Sequence, residues 1–253
     1  MPDANCKICG GTGWKIIERA GLSGADRCEC SYASSNLAYK ENSRIPPHFQ
    51  QASLDNFIVP QDNPLTRASL GKVLLDVKGF VREYPAVDPP GLLLIGEPGT
   101  GKTHLAVAAL RALLEKGYEG VFFDYQNLLD RIRKGYDSTS GASDREAYRA
   151  ALDAPVLLLD ELGAHRMTDF VEDTVTSIIT DRYNNHKTLI ATTNLTDPDI
   201  TGSTIEYTDA GGIKLGRRTL AEVIGVRARS RLFEMCRVVW MRGVEDYRVK
   251  RAR

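Results

Sequence analysis

The octapeptide Gly96-Glu97-Pro98-Gly99-Thr100-Gly101-Lys102-Thr103 carries the most chemical information in this 253-residue chain. Its spacing, G-x-x-x-x-G-K-T, is that of a phosphate-binding loop. Gly96, Gly99 and Gly101 let backbone N–H groups close around phosphate oxygens at the positive end of a helix dipole. Lys102 is placed to reach the β- and γ-phosphates of a nucleotide, and Thr103 to hold Mg2+ through its hydroxyl. His104 follows directly and is expected to pack near the nucleotide. The flanks fit the same reading: Gly91-Leu92-Leu93-Leu94-Ile95 is a buried strand pattern and Leu105–Leu110 a helical one. A glycine-rich helix start without a ligand is the bland alternative, and it leaves Lys102 unexplained.

Asp160 and Glu161 end a second apolar strand pattern, Val156-Leu157-Leu158-Leu159. The carboxyl end of a buried parallel strand is where ligands of open α/β sheets bind. Asp160 is expected to support Mg2+ from behind its direct ligands, and Glu161 to polarise the water that attacks the γ-phosphate. An acidic pair at a strand end also serves as a plain helix cap, but a phosphate loop about sixty residues upstream favours catalysis. Asn194 closes a third strand pattern, Thr188–Thr192, within Thr192-Thr193-Asn194. It is a candidate to orient the attacking water or to touch the γ-phosphate. Arg227, Arg229 and Arg231 follow in Val226-Arg227-Ala228-Arg229-Ser230-Arg231-Leu232; on a helix, positions 227 and 231 share a face. Presented to a neighbouring subunit's γ-phosphate, such an arginine stabilises developing charge, which makes the working form an oligomer. Ordinary helix-surface charge is the competing reading.

Cysteine usage marks a separate unit. Cys6-x2-Cys9 and Cys28-x-Cys30 stand 18 residues apart, and Gly10-Gly11-Thr12-Gly13-Trp14 supplies the tight backbone of a metal knuckle. Four thiolates in two close pairs suit tetrahedral structural zinc (Zn2+). The second pair has one intervening residue rather than two, which is less typical of zinc, and an iron–sulfur cluster or a redox pair is the alternative. Cys236, in an apolar run, reads as core.

These residues need a scaffold, and the chain divides into three parts. Residues 1–35 form the cysteine module, 36–60 a connector with a Pro46-Pro47 step, and 61–253 one α/β domain. Asn63-Pro64 is an N-cap followed by proline at the first helical position, opening a helix to about Glu83. Further strands are expected at Val121–Phe123 and Val238–Met241, and further helices at Gln126–Lys134, from Asp144, and at Phe170–Asn184. Asp137–Ser143 and Thr201–Gly216 read as polar loops, the second mobile. Strands alternating with helices predict a parallel sheet covered on both faces.

Composition narrows the classes. Hydrophobic content of 42% with 26% charged residues describes a soluble globular chain, and no run approaches the ~18 apolar residues of a membrane span. The N-terminus has no basic segment leading into an apolar one, so a cytoplasmic location is expected. Formal net charge is zero, yet Lys214–Arg253 holds 12 Lys/Arg against 4 Asp/Glu. Such a segment faces nucleic acid, nucleotide phosphates or plain solvent. The overall neutrality argues against a protein that coats DNA along its whole surface.

On these motifs the chain resembles the DnaC/DnaI/IstB group of AAA+ ATPases over roughly residues 45–250. Gly96–Thr103 is similar to the group's Walker A loop, Leu157-Leu158-Leu159-Asp160-Glu161-Leu162-Gly163 to its Walker B strand, and Thr192-Thr193-Asn194 to its sensor 1. Gly225-x-Arg227-x-x-Ser230-Arg231-Leu232 resembles the box that carries the arginine finger, and Asp246-Tyr247-Arg248 the group's C-terminal end. The resemblance implies ATP as substrate, Arg231 as finger with Arg227 second, and a P-loop AAA+ fold without a full helical lid. It also implies a homo-oligomer acting with a hexameric replicative helicase on single-stranded DNA. The cysteine module is similar to the zinc-bearing N-terminal domain of some helicase loaders, where it would grip the helicase. Transposition helpers of the IstB type, acting on duplex DNA with a transposase, usually lack it and are the runner-up reading. A small-molecule kinase would need an acceptor pocket and a lid, and neither is legible here. A nucleotide-dependent adaptor with little turnover is opposed by Glu161 and Asn194.

Overall fold

Uninterrupted apolar runs become the centre of a parallel sheet. In the computed structural model, which describes residues 4–19, 22–28, 30, 41–136, 142–164, 168–197, 206–208, 214–216 and 218–251, five strands lie side by side. They are β3 (Gly91–Gly96), β4 (Gly120–Asp124), β5 (Val156–Asp160), β6 (Thr188–Thr193) and β9 (Cys236–Met241), in the order β4-β5-β6-β3-β9. Every neighbouring pair is parallel. The strand carrying the phosphate loop therefore lies between β6 and β9, and β5 follows on the far side of β6. A parallel strand buried on both faces has no polar side to show, which is why β3 and β5 read as continuous Leu/Ile/Val.

Side-chain alternation along the strands divides the core in two. Leu93, Ile95, Leu157, Leu159, Leu189 and Ala191 face one layer. That layer is built from α3 (Tyr125–Tyr136), α4 (Ala142–Asp153), α5 (Asp169–Asn184), α6 (Leu220–Ile224) and α7 (Val226–Met235). Leu92, Leu94, Val156, Leu158 and Ile190 face the other, built from α1 (Pro64–Glu83) and α2 (Lys102–Glu115). Ala52, Ile45, Phe49, Leu54, Phe57 and Val59 complete this second layer, so the segment expected as a connector packs into the α/β unit. Phe122 N–H donates to Ser43 O at 2.7 Å, which partly covers the open edge of β4.

Helix starts follow local chemistry. Asn63 accepts from the backbone N–H of Leu65 and Thr66, with Pro64 at the first turn of α1. Thr168 caps α5, and Thr219 with Glu222 forms a reciprocal capping box on α6. The loop expected over Thr201–Gly216 contains instead a short antiparallel pair, β7 (Glu206–Thr208) with β8 (Lys214–Gly216). Tyr207 and Thr208 are good strand formers, which the polar and Gly-rich surroundings hid. The rest of that segment, like positions 137–141 of the loop expected at Asp137–Ser143, lies outside the described residues. After β9 the described residues hold α8 (Tyr247–Arg251) and no helical bundle.

Toward the N-terminus, β1 (Trp14–Arg19) and β2 (Leu22–Arg27) form an antiparallel hairpin. Gly10 N–H bonds to Cys6 O at 2.9 Å, and Cys28 N–H to Gly13 O at 2.8 Å. The two cysteine pairs are thereby brought to the open end of the hairpin.

Candidate active site

The phosphate loop joins β3 to α2 and leaves the last turn before the helix in a left-handed conformation. Gly101, the residue before α2, has φ +95°, and a Cβ there would meet the Phe57 ring at 2.7 Å. Glycine is required twice over, by backbone angle and by the close aromatic wall. Thr100 Oγ1 donates to Glu97 O at 2.8 Å and tightens the turn. Lys102 is buried, with Nζ donating to Glu97 O at 2.7 Å. Burial brings its pKa down to about 8, against the pull of the Asp160, Glu97 and Glu161 carboxylates. Removing an ammonium from water is expensive without an anion, so this side chain is set for a phosphate.

The end of β5 stands opposite. Thr103 Oγ1 donates to Asp160, 2.9 Å from Oδ1 and 3.1 Å from Oδ2. Thr192 Oγ1 donates to Asp160 Oδ1 at 2.6 Å. Burial raises the pKa of Asp160, and the two threonine hydroxyls pull it the other way. A hydroxyl beside a buried carboxylate is an oxygen donor set of the kind Mg2+ takes, directly or through its waters. Glu161 leaves the strand with φ +58°, turning out of the sheet. Glu161, Asn194, Lys102, Thr103, Gly99, Gly101 and His104 line one cavity of about 730 Å3, a size suited to a nucleotide. His104 also has Nε2 3.1 Å from Ser53 O and its ring 5.6 Å from that of Phe57, so it ties α2 to the cavity wall. Gly96 remains in β3, where a Cβ would meet Met241 of β9 at 2.9 Å.

The far wall comes from parts of the chain distant in sequence from the phosphate loop and the acidic pair. His48, Phe49, Phe57, Ile58 and Pro60 form an apolar side. Residues 242–251 cross the opening as a strap. Ser69 Oγ donates to Arg242 O at 3.1 Å, Thr66 Oγ1 to Gly243 O at 3.0 Å, and Tyr247 N–H to Gly99 O at 3.0 Å. Lys250 pairs with Asp62. Asp246 caps α8 by accepting from Arg248 N–H at 2.8 Å. A Cβ on Gly99 (φ +74°) would fall 2.0 Å from the Asp246 carboxylate, so the second loop glycine makes room for the strap as well as for phosphate. Arg248 lines the cavity close enough to Lys102 to push its pKa further down. Two sequence signals pointed here, the positive excess of the C-terminal segment and the Asp246-Tyr247-Arg248 resemblance.

The three arginines of α7 separate. Arg229 turns inward and forks onto buried Asp197, with Nε 2.6 Å from Oδ2 and Nη2 2.5 Å from Oδ1. This pair fastens α7 to the chain leaving β6. Arg227 is exposed. Arg231 donates to Arg227 O at 3.2 Å and lies 5.9 Å from the Tyr183 ring centroid. Neither Arg227 nor Arg231 is among the residues lining the cavity of its own chain.

The cysteine sulfurs converge. The Sγ atoms of Cys6, Cys9, Cys28 and Cys30 all lie within 4.8 Å of one another, with Cys6–Cys28 at 3.6 Å and Cys9–Cys30 at 3.4 Å. Four thiolates at about 2.3 Å from a single tetrahedral ion stand roughly 3.8 Å apart, so the set fits one ion. The Cys9 thiol has a pKa of about 6: burial opposes ionisation, but the Gly13 and Gly11 backbone and the Cys30 and Cys6 thiols outweigh it. Gly13 N–H points at Cys9 Sγ from 3.3 Å, the donor a bound thiolate needs. Cys236 is buried in the core at the start of β9. No helix among the described residues is long and apolar enough to cross a membrane.

Comparison with known proteins agrees with this geometry. The family described as IstB-like ATP binding protein matches residues 87–201. The replicative helicase loader DnaC of Escherichia coli K12 is 25% identical over 195 residues, covering 74% of each chain. The uncharacterized protein YdaV of the same strain is 30% identical over 188 residues, 72% of this chain and 69% of that one. YqaM of Bacillus subtilis, also uncharacterized, is 26% identical over 180 residues, and the match spans 56% of its length. Among solved structures, a crystal structure of the DnaC helicase loader superimposes with a TM-score of 0.62 at 30% identity, covering 79% of this chain and all of that one. Fold, phosphate loop and relatives converge, and the chain belongs to the DnaC/IstB-like family of P-loop ATPases with the AAA+ fold.

Proposed function

We propose that this protein is an ATP-dependent loader of a replicative DNA helicase, working as a homo-oligomer on single-stranded DNA. The observation that carries the reading is the constellation of Lys102, Thr103, Glu161 and Asn194 on one nucleotide-sized cavity, with Asp160 bonded to Thr103, in a fold shared with a helicase loader over most of its length.

Each residue then has a task. Lys102 exchanges Glu97 O for the β- and γ-phosphates of ATP. Thr103 would hold Mg2+, with Asp160 supporting it from behind, and the ion would supply neutralisation of charge on the phosphates. Glu161 takes a proton from the attacking water as its oxygen bonds to the γ-phosphorus and the bond to the β-phosphate oxygen breaks. Asn194, on the same wall, orients that water. A further cation at the γ-phosphate would come from outside the subunit. Arg231, with Arg227 as second choice, supplies it from a neighbouring copy, consistent with both standing away from their own cavity. ATP then favours assembly, and hydrolysis favours release. The four cysteines hold Zn2+ as a structural ion, and the hairpin built on them presents Ile8, Trp14 and Ile16 to solvent. This face grips the helicase.

The test is an ATP-dependent pull-down from host lysate with a Glu161→Gln trap, followed by mass spectrometry. A hexameric helicase, lost on Cys6→Ser/Cys9→Ser substitution, is the expected result. The match to the IstB-like family supports one other reading, a transposition helper on duplex DNA. Recovery of a transposase with duplex DNA would establish that role instead, and recovery of neither partner would overturn both.

A further inference from the structure

We propose that Thr192 is a positioning residue for hydrolysis, holding the backbone of Glu161 in register with the Thr103–Asp160 pair. The inference rests on the reading of Glu161 as the base. Thr192 lies near the end of β6 and is fully buried. A hydroxyl has one hydrogen and two acceptor lone pairs. Thr192 gives its hydrogen to Asp160 Oδ1 at 2.6 Å and accepts the N–H of Glu161 at 3.0 Å. Its carbonyl takes the next amide, Leu162 N–H, at 2.8 Å. Thr193 Oγ1 donates to Leu162 O at 2.8 Å. Two adjacent residues of β6 thus pin the two residues that follow β5.

The amide held by the Thr192 hydroxyl belongs to an unusual residue. Glu161 has φ +58°, a region that side chains beyond glycine and asparagine avoid unless the surroundings enforce it. Of the contacts on this turn, the Thr192 hydroxyl is the one that also touches Asp160. An unbroken chain results: Thr103 hydroxyl to Asp160 carboxylate, Asp160 to Thr192 hydroxyl, Thr192 to Glu161 amide. Whatever Thr103 and Asp160 hold is therefore felt by the backbone of Glu161 through one oxygen. An ordinary buried threonine would satisfy a neighbouring backbone group without bridging the two catalytic strands and the phosphate loop.

The experiment compares the full chain with Thr192→Val, Thr192→Ser, Glu161→Gln and the double variant Thr192→Val/Glu161→Gln. Three quantities are read: affinity for a fluorescent ATP analogue, ATP turnover, and amide hydrogen exchange at Glu161 without nucleotide. Thr192→Val should lower kcat about 100-fold, the scale expected from misplacing a reacting group, with nucleotide affinity changed by no more than about threefold. Thr192→Ser should restore turnover to within about threefold of the original chain, because the hydroxyl returns. On the Glu161→Gln background, Thr192→Val should add no more than about a twofold loss, since residues acting as a unit are not additive. Exchange at the Glu161 amide should quicken in the Val variant and not in the Ser variant.

Unchanged turnover in Thr192→Val, equal damage from Ser and Val, or a full further loss on the Glu161→Gln background would each overturn the proposal. If Thr192→Val does not fold, Thr192→Ala carries the same comparison. Failure of the original chain to hydrolyse ATP would instead strike the ATPase reading. The exchange measurement, made without nucleotide, would still decide whether Thr192 holds Glu161.

Discussion

The cysteine hairpin and the ATPase unit are stabilised by opposite means. In the ATPase unit, two layers of helices bury Leu92–Leu94, Leu157, Leu158, Ile190 and their neighbours against a five-stranded sheet. Burial of that kind is cooperative and tolerant of a single lost contact. In the hairpin, Cys9 and Cys28 are buried while Ile8, Trp14 and Ile16 stand exposed, at 61%, 54% and 82%. So small a unit has little apolar surface to hide, and on the proposed reading a metal held by the four sulfurs would order it. Hydrophobic burial orders the cavity of the ATPase unit, whereas the hairpin brings four sulfurs together and keeps Ile8, Trp14 and Ile16 exposed.

Metal removal tests this contrast with the largest expected effect. Structural zinc contributes on the order of 10–16 kcal/mol of apparent binding energy in small finger modules. A chelator, or Cys9→Ser, should therefore unfold the hairpin completely. The Trp14 environment should change, and the thermal transition of the ATPase unit should stay within about 2 °C of its starting value. Metal content and tryptophan fluorescence read the first result, and calorimetry the second.

Arg231→Ala comes next. Loss of a trans-acting arginine should lower turnover by about 1,000-fold, roughly 4 kcal/mol, while nucleotide binding persists. Mixing this variant with a Lys102→Ala chain gives a direct check on trans action. Interfaces that pair an intact cavity with an intact Arg231 should regain turnover, and a fully active, monomeric Arg231→Ala protein would sink the idea.

Leu158→Ala probes the other side of the contrast. This side chain is fully buried in the sheet, and truncation should cost about 3 kcal/mol of ATPase-unit stability by denaturant titration. The metal content of the hairpin should not change.

The smallest effect concerns protons. Burial holds the Lys102 ammonium at about 8. A bound phosphate favours its charged form, so binding above pH 8 must take up a proton. ATP affinity should be flat below pH 8 and fall about tenfold per unit above it, until the pKa of the bound state is reached. The sign for stability is opposite. Without nucleotide, the unfolded chain binds the extra proton between about 8 and the ordinary lysine value, so this group's contribution to stability rises with pH across that window. Nucleotide titrations at several pH values, with Lys102→Arg as the non-titrating control, check both statements.

Legibility in the sequence also differed within the site. The phosphate loop, the acidic pair and the four cysteines could be read at once, because each is a short local pattern whose residues must be neighbours to do their work. The α/β alternation followed for the same reason, since apolar runs and caps such as Asn63-Pro64 act within a few residues. Arg229 shows the limit: spacing placed it with Arg227 and Arg231, but only packing shows it spent on Asp197. The pair β7–β8 was missed because polar composition outweighed two strand-forming residues.

The sequence by itself determined which residues could bind phosphate, cation and metal, because that chemistry is set by residue type and by separations of a few positions along the chain. Tertiary structure alone decided the strand order that sets β5 and β6 beside the phosphate loop, the threonine that joins Asp160 to Glu161, and the strap that brings Tyr247 onto Gly99. Those partners lie 31 to about 150 residues apart. No local pattern records which distant segments meet, because the meeting is chosen by burial of whole sheet and helix faces.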